Sequence, residues 1–166
     1  HPEADIVYTD EDKVTTDITE HFQPHLKPDF NLDLLRSNNY ICHFLVVRRN
    51  VVEKAGGFRR EFDGAQDYDF IFRCVEQARE VIHVPEILYH WRTHKSSTAD
   101  NPARKMYAFE AGRRAIEGNL DRTGTKGTVE HTPDFGFYRV KYPVQGEPLV
   151  SIIIPNREEK ETLKEC

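Results

Sequence analysis

The chain has 166 residues, of which 38% are hydrophobic and 31% are charged, and its formal net charge at pH 7 is −5. This length suits one domain with its own hydrophobic core, or most of a larger domain, and argues against two full domains. Acidic and basic residues are mixed along the sequence, so no broad basic face is expected and nucleic acid is not predicted as a partner.

Three cysteines, Cys42, Cys74 and Cys166, are far apart and lack the spacing of a zinc or redox motif. We therefore expect free thiols in a reducing compartment, which predicts a cytoplasmic protein, at the inner face of the membrane if the parent chain is anchored there. The apolar runs are only as long as strands, and His1 does not open a signal peptide. The missing initial Met predicts a piece of a longer chain.

The acidic cluster Asp10-Glu11-Asp12 follows the short apolar run at residues 4–8, which predicts a strand with carboxylates at its end. In α/β sheets this position commonly carries metal and phosphate chemistry. Two carboxylates that converge there can hold a hard divalent cation, and the cation can neutralise a diphosphate. A solvated loop that caps the strand, with Lys13 as the counter-charge, is the more common explanation of these residues taken alone.

Further elements follow in chain order. Residues 21–33 are polar and contain two prolines, which predicts a long loop, whereas the β-branched and aromatic residues at 40–47 predict a buried strand. Asn50 can cap a short helix that runs to residue 55. The pair Gly56-Gly57 supplies its left-handed stop.

The second half of the chain alternates between helix and strand. Residues 66–79 show helical spacing of apolar residues, and residues 81–88 predict a strand that Pro85 places at an edge. A long helix capped by Asn101 is predicted to stop before Gly124.

The tail contains two further apolar runs, at residues 137–142 and 149–154. A turn rich in glycine and proline separates them, so the second run starts afresh. Its composition is typical of a buried first strand in a parallel sheet.

Two short segments place polar side chains beside predicted elements. Asp67, at the start of the helix at 66–79, can act as a general base if it faces a cleft, and with equal weight it can be a first-turn acid that stabilises the helix. Asn39 and His43 could contact sugar hydroxyls, although capping of the strand is the more common role of such residues.

The segment that follows the strand at 81–88 combines cationic and hydroxyl side chains. Its candidate ligands of a diphosphate and its metal are Arg92, His94, Lys95 and Ser97. A polar surface loop with Trp91 packed over the core is an equally weighted alternative.

Taken in chain order, several motifs occur with a specific order and spacing. They are Tyr8-Thr9-Asp10-Glu11-Asp12-Lys13, Asn39-Tyr40-Ile41-Cys42-His43, Gly56-Gly57-Phe58, Gln66-Asp67-Tyr68-Asp69 and Tyr89-His90-Trp91-Arg92-Thr93-His94. In this order they resemble the family 2 glycosyltransferases, which have the GT-A fold, over roughly residues 6–97. The resemblance implies an α/β fold of partial GT-A type, with a mixed sheet flanked by helices.

The resemblance also implies roles for single residues. Asp10 and Asp12, with His94, would bind the metal, a Mn²⁺ or Mg²⁺ ion. Asp67 would deprotonate the acceptor hydroxyl, and Arg92 would contact the diphosphate. Further contacts to the nucleotide sugar and the acceptor are expected from Lys95, Ser97, Asn39, His43, Gln66 and Trp91.

The implied activity is transfer of a sugar from a nucleotide-diphospho-sugar donor to a glycan acceptor, with inversion, in bacterial cell-surface polysaccharide synthesis. A noncatalytic glycan-binding or scaffolding module is the alternative. A nucleotidyltransferase or phosphohydrolase that uses the same acidic cluster fits less well, because it leaves four residues without roles: Gln66, Asp67, Arg92 and His94.

One motif departs from the family order. The strand that opens such domains, of the type Val-Ser-Ile-Ile-Ile-Pro, occurs here at residues 150–155 rather than ahead of the acidic cluster. We therefore expect the second half of one catalytic domain at residues 1–125, a strand and linker at 126–148, and the start of a following domain at 149–166. The fragment should be inactive. Residues 149–154 should pair beside the strand that contains Ile6, within the chain or in a strand-exchanged homodimer.

Overall fold

The computed structural model describes residues 1–93, 106–147, 149–155 and 164. The strands are β1 (Ile6–Val14), β2 (His21–His25), β3 (Leu45–Val47), β4 (Val81–Arg92), β5 (Thr128–His131) and β6 (Tyr138–Lys141). The α-helices are α1 (Leu32–Leu35), α2 (Arg49–Ala55), α3 (Gln66–Val75) and α4 (Met106–Arg122), and a 3₁₀ turn spans Arg60–Phe62.

Strand β1 is the centre of a mixed four-stranded sheet. It pairs in parallel with β4 along its whole length, from Ile6 opposite Val81 to Val14 opposite Arg92. Its other edge is shared by two antiparallel partners, β3 against the first residues and β2 against the last. The predicted α/β class and mixed sheet are therefore confirmed.

The acidic cluster lies inside β1, so the prediction that it follows the end of a strand is wrong. Partners on both edges carry the strand on to Val14, and the ladder to β4 shifts register on either side of Asp10. Such irregularities re-aim neighbouring side chains. The three carboxylates therefore have different surroundings, although they are consecutive in sequence.

Helices α3 and α4 pack against each other and contribute many side chains to the core. Fully buried side chains come from the sheet, from a loop and from helices α1, α3 and α4: Tyr8, Ile41, Leu35, Ile71, Phe72 and Ile116. The small hairpin β5–β6 also packs on α4, where Tyr138 lies directly against Gly112. The core thus fixes α3, which carries Asp67, relative to β1.

Several element boundaries differ from the predictions. The polar segment at 21–33 contains β2, because its histidines pair with the acidic strand. The strand predicted at 40–47 shortens to β3, while Tyr40 and Ile41 are buried in a loop. The helices α2 and α3 and the strand β4 are confirmed, with Gly56 at φ 76° after α2. The predicted cap of α2 is wrong, because the helix begins at Arg49 and Asn50 lies inside it. Helix α4 is confirmed from Met106 onward, and its predicted cap lies outside the described residues.

Residues 149–154 form no strand and lie outside both sheets. The exposed fractions of Leu149 and Ile153 are 96% and 89%. The prediction that this segment pairs within the chain beside Ile6 is therefore wrong, and strand exchange and the domain boundaries stay predictions. None of the described helices combines the length and apolar character that a membrane span needs.

Candidate functional site

Asp12, His21 and His90 form a compact cluster at the last residues of the sheet. The Nδ1 atom of His21 lies 2.9 Å from one carboxylate oxygen of Asp12, and Nδ1 of His90 lies 2.6 Å from the other. One potential ligand atom from each residue lies within 4.8 Å of the other two. The parallel register places His90 opposite Asp12, and the turn after β1 returns His21 to the other edge.

The chemistry of this cluster fits a transition-type divalent cation. Asp12 is buried, whereas both imidazoles are about half exposed, so an ion can reach it from solvent. Burial raises the pKa of Asp12, but the hydrogen bonds with His90 and His21 outweigh it and lower the pKa overall. The carboxylate is therefore anionic at neutral pH. Two imidazoles beside one carboxylate favour Mn²⁺ or Zn²⁺ over Mg²⁺.

Glu11 occupies a separate, more buried cluster. Its carboxylate is within 3.2 Å of His25 Nδ1, 3.0 Å of His43 Nδ1 and 3.8 Å of the buried Lys27 ammonium. Burial raises its pKa, but the hydrogen bonds from His25 and His43 and the Lys27 charge bring it down to about 2. The contacts of His43 with the Cys42 thiol and with Glu11 raise the pKa of His43 to about 10. The Glu11–His43 ion pair thus persists across neutral pH.

Asp10 is placed away from the metal-type cluster. One oxygen of its carboxylate accepts the Lys27 backbone N–H at 2.8 Å and lies 2.8 Å from His83 Nε2. The His83 ring is stacked on Tyr8 at 4.9 Å. These contacts hold the loop after β2 and strand β4 to β1, and a metal-ligand role for Asp10 stays a prediction.

Asp67 lies half-buried in the first turn of α3. Its Oδ2 accepts a hydrogen bond of 2.9 Å from Asn39 Nδ2, so two predicted site residues are brought together. The same turn is anchored by Asp69, which is fully buried and paired with Arg59 and Arg73. The helix start that presents Asp67 is therefore rigidly held.

Asp67 borders two clefts. The larger, of about 420 Å³, also contains His43 and Tyr89. The smaller, of about 210 Å³, also contains Asn39 and the aromatic rings of Phe109 and Tyr138. A carboxylate between two clefts can touch two different bound groups.

The remaining predicted residues are scattered around these clusters. Trp91 borders a cleft of about 240 Å³ that also contains Asp12, and the Lys13 ammonium lies 5.7 Å from its ring. Gln66 is exposed and accepts the Gly64 N–H at 2.8 Å. Arg92 is exposed at the end of β4. The predicted ligands His94, Lys95 and Ser97 lie outside the described residues.

Sequence reasoning missed His21, His25 and His83 as partners of the acidic cluster. Their spacing along the chain resembles no metal motif, because the contacts arise between strands. The usable signal is an acidic strand that is followed in sequence by two histidine-bearing strands.

Comparisons with known proteins identify longer relatives of the chain. No protein-family model matches the chain. It is 46% identical over 167 residues to the uncharacterized protein y4gI of Sinorhizobium fredii, an alignment of 99% of this chain and 18% of that protein. It is 42% identical over 164 residues to the O-antigen biosynthesis protein RfbC of Myxococcus xanthus, an alignment of 98% of this chain and 13% of that protein. The chain therefore spans less than a fifth of the length of these relatives.

Proposed function

We propose that the chain forms the acceptor-side part of an inverting, cation-dependent glycosyltransferase of polysaccharide synthesis. The observation that carries the proposal is the convergence of Asp12, His21 and His90. The name of the Myxococcus xanthus relative, an O-antigen biosynthesis protein, supports the substrate class. Because the chain spans less than a fifth of its relatives, the activity is proposed for the longer protein in which it functions.

The proposed chemistry is a single displacement at the anomeric carbon of a nucleotide sugar. Asp12, His21 and His90 would hold the cation, which would supply positive charge for the departing diphosphate when bound. Asp67 accepts the proton of the acceptor hydroxyl while the hydroxyl oxygen bonds to the anomeric carbon. The bond between the anomeric carbon and the diphosphate oxygen breaks in the same step. Asn39 orients Asp67 through the hydrogen bond to Oδ2.

Calorimetric titration of the chain with Mn²⁺, Zn²⁺ and Mg²⁺ tests whether the cluster of Asp12, His21 and His90 binds a cation. We expect Mn²⁺ and Zn²⁺ to bind more tightly than Mg²⁺, because imidazole nitrogens favour the first two ions. Asp12→Asn and His21→Ala should each lower the Mn²⁺ affinity by at least about tenfold, since each removes a ligand.

His131→Ala is the matched control for this titration. His131 also pairs with a carboxylate, that of Glu110 at 3.2 Å, but it lies on the hairpin β5–β6. Its replacement should leave the affinity unchanged. Equal affinities for the wild-type chain, Asp12→Asn and His21→Ala would contradict the proposed cation site.

A further inference from the structure

The smaller cleft beside Asp67 combines a polar floor with an aromatic wall. Its polar groups include Asn39 and Asp67, and its wall on α4 is the half-buried ring of Phe109. Tyr68 and Tyr138 also line it, and their hydroxyls donate to backbone carbonyls. Of the two carboxylate oxygens of Asp67, only Oδ2 accepts a hydrogen bond from the described part of the chain, and Asn39 is its donor. Oδ1 therefore keeps an open acceptor position for a donor group on a bound molecule.

Two glycines keep the cleft open. Gly64 has φ 90°, and a Cβ there would lie 2.6 Å from Cβ of Ala108 and 2.8 Å from the Tyr107 ring. Gly136 has φ 83°, and a Cβ there would lie 3.7 Å from the Phe109 ring. Both backbones adopt conformations that favour glycine, so the loops pass close to α4 without filling the space beside it.

Exposed aromatic rings extend the wall beyond the cleft. Phe135 is stacked on Phe109 with ring centroids 5.1 Å apart and an angle of 18° between the rings. Phe135 is 54% exposed, and Tyr107, next to Gly64, is 62% exposed. Exposed aromatic groups beside a polar cleft are typical of binding sites for amphipathic molecules.

We propose that this cleft binds one pyranose ring of the glycan acceptor. This inference rests on the proposed function and names the place of the acceptor at the same site. A pyranose has hydroxyl groups at its rim, which can donate to Oδ1 of Asp67, and an apolar C–H face, which can pack on the Phe109 ring. Pockets for drug-sized ligands measure about 300–1,000 Å³, so a cleft of about 210 Å³ suits a single ring.

The position of Asp67 between the two clefts indicates from which side the acceptor approaches. The same carboxylate borders the larger cleft, which reaches His43 and Tyr89. His43 is bonded to Glu11, the neighbour of Asp12 in β1. An acceptor in the smaller cleft would therefore present its hydroxyl to Asp67 from the side of α4, and the larger cleft leads toward the acidic strand.

The test is a titration of the ¹⁵N-labelled chain with the methyl glycosides of rhamnose, glucose, galactose and N-acetylglucosamine. We expect at least one of them to shift the amide signals of Gly64 and Gly136, with a dissociation constant of the order of 1 mM. If none of the four shifts these signals, the proposal is overturned.

Matched variants test whether the Phe109 ring forms the binding surface. Phe109→Leu keeps the apolar bulk but removes the ring, and it should weaken binding roughly two- to tenfold. Phe109→Tyr keeps the ring face and should restore binding to within about twofold of wild type. Phe137→Leu is the control, because Phe137 is an exposed aromatic residue next to Gly136 that does not border the cleft. It should leave the glycoside affinity unchanged. Equal affinities for wild type and Phe109→Leu would overturn the proposal.

Mn²⁺ affinity measured on the same samples separates this inference from the proposed function. If the chain binds Mn²⁺ at Asp12 but no glycoside, the proposed acceptor cleft is contradicted and the proposed cation site is supported. A chain that binds a glycoside at Gly64 and Gly136 but no cation supports the cleft and contradicts cation dependence.

Discussion

At the scale of single residues, Asp5 shows how a charged group anchors the first residue pair of the sheet. The Asp5 side chain is only 3% exposed just before β1, and its carboxylate accepts hydrogen bonds from the Arg79 backbone N–H at 2.9 Å and from Arg79 Nε at 3.1 Å. A further contact of 3.1 Å joins it to Arg48 Nε. These bonds join the segments that lead into β1, β4 and α2.

The Asp5 carboxylate should make stability depend on acid pH. The hydrogen bonds from Arg79 lower its pKa from 3.8 to about 2. Because the pKa is lower in the folded state, the stabilisation is complete above pH 3.8 and is lost as the pH falls through about 2. We expect Asp5→Asn to lower the urea midpoint at neutral pH and to match wild type near pH 2. A difference between the two proteins that stays constant over this range would contradict the account.

The place of a residue was predictable from sequence where it depends on local features. The role of Asp67 as the general base stays a prediction, but its place at the start of α3 could be predicted, because a carboxylate at a helix start is a local feature. The pairing of Asp12 with His21 and His90 could not, since it depends on which strands flank β1 and in which register. A shift of one residue would turn each histidine to the other face of the sheet.

At the scale of elements, α4 docks on the hairpin β5–β6 through a glycine. A Cβ at Gly112 would lie 2.1 Å from the hydroxyl oxygen of Tyr138, which is buried and donates a hydrogen bond of 2.9 Å to the Phe109 carbonyl. A Cβ at Gly118, on the same helix, would meet only the flexible end of the Arg122 side chain. The two glycines therefore differ in what surrounds them.

Alanine at the two positions should change stability in opposite directions. Gly112→Ala should lower the free energy of unfolding by about 1–3 kcal/mol, because the methyl group forces Tyr138 away. Gly118→Ala should raise it by up to about 1 kcal/mol, because alanine favours the helix. Thermal or denaturant unfolding of both variants measures the difference. Stabilisation by Gly112→Ala would show that α4 does not dock in this way.

Elements were predicted well where periodicity or glycine marked them. The spacing of apolar residues indicated α3, and Gly56 indicated the end of α2. Strand β2 was missed because all five of its residues are exposed, so it has no apolar pattern. What fixes β2 is its pairing with the acidic strand, a tertiary contact that local sequence does not encode.

At the scale of the whole molecule, residues 149–154 form an apolar run that the other described residues leave uncovered. Ile152, Ile153 and Leu149 are each at least 80% exposed. Such a run is typical of a segment that is buried in a larger assembly. It fits the proposal that the chain works within a longer protein, as its relatives are more than five times its length.

Sugar transfer by the natural full-length protein that contains this chain tests the central claim most directly. With a panel of nucleotide sugars, we expect Asp67→Asn to lower kcat by at least about 10²-fold, because the general base is removed while the shape is kept. Asp63→Asn, an exposed acid before α3, is the matched control and should keep wild-type turnover. If Asp67→Asn transfers sugar as fast as wild type, Asp67 is not the base and the proposed mechanism is contradicted.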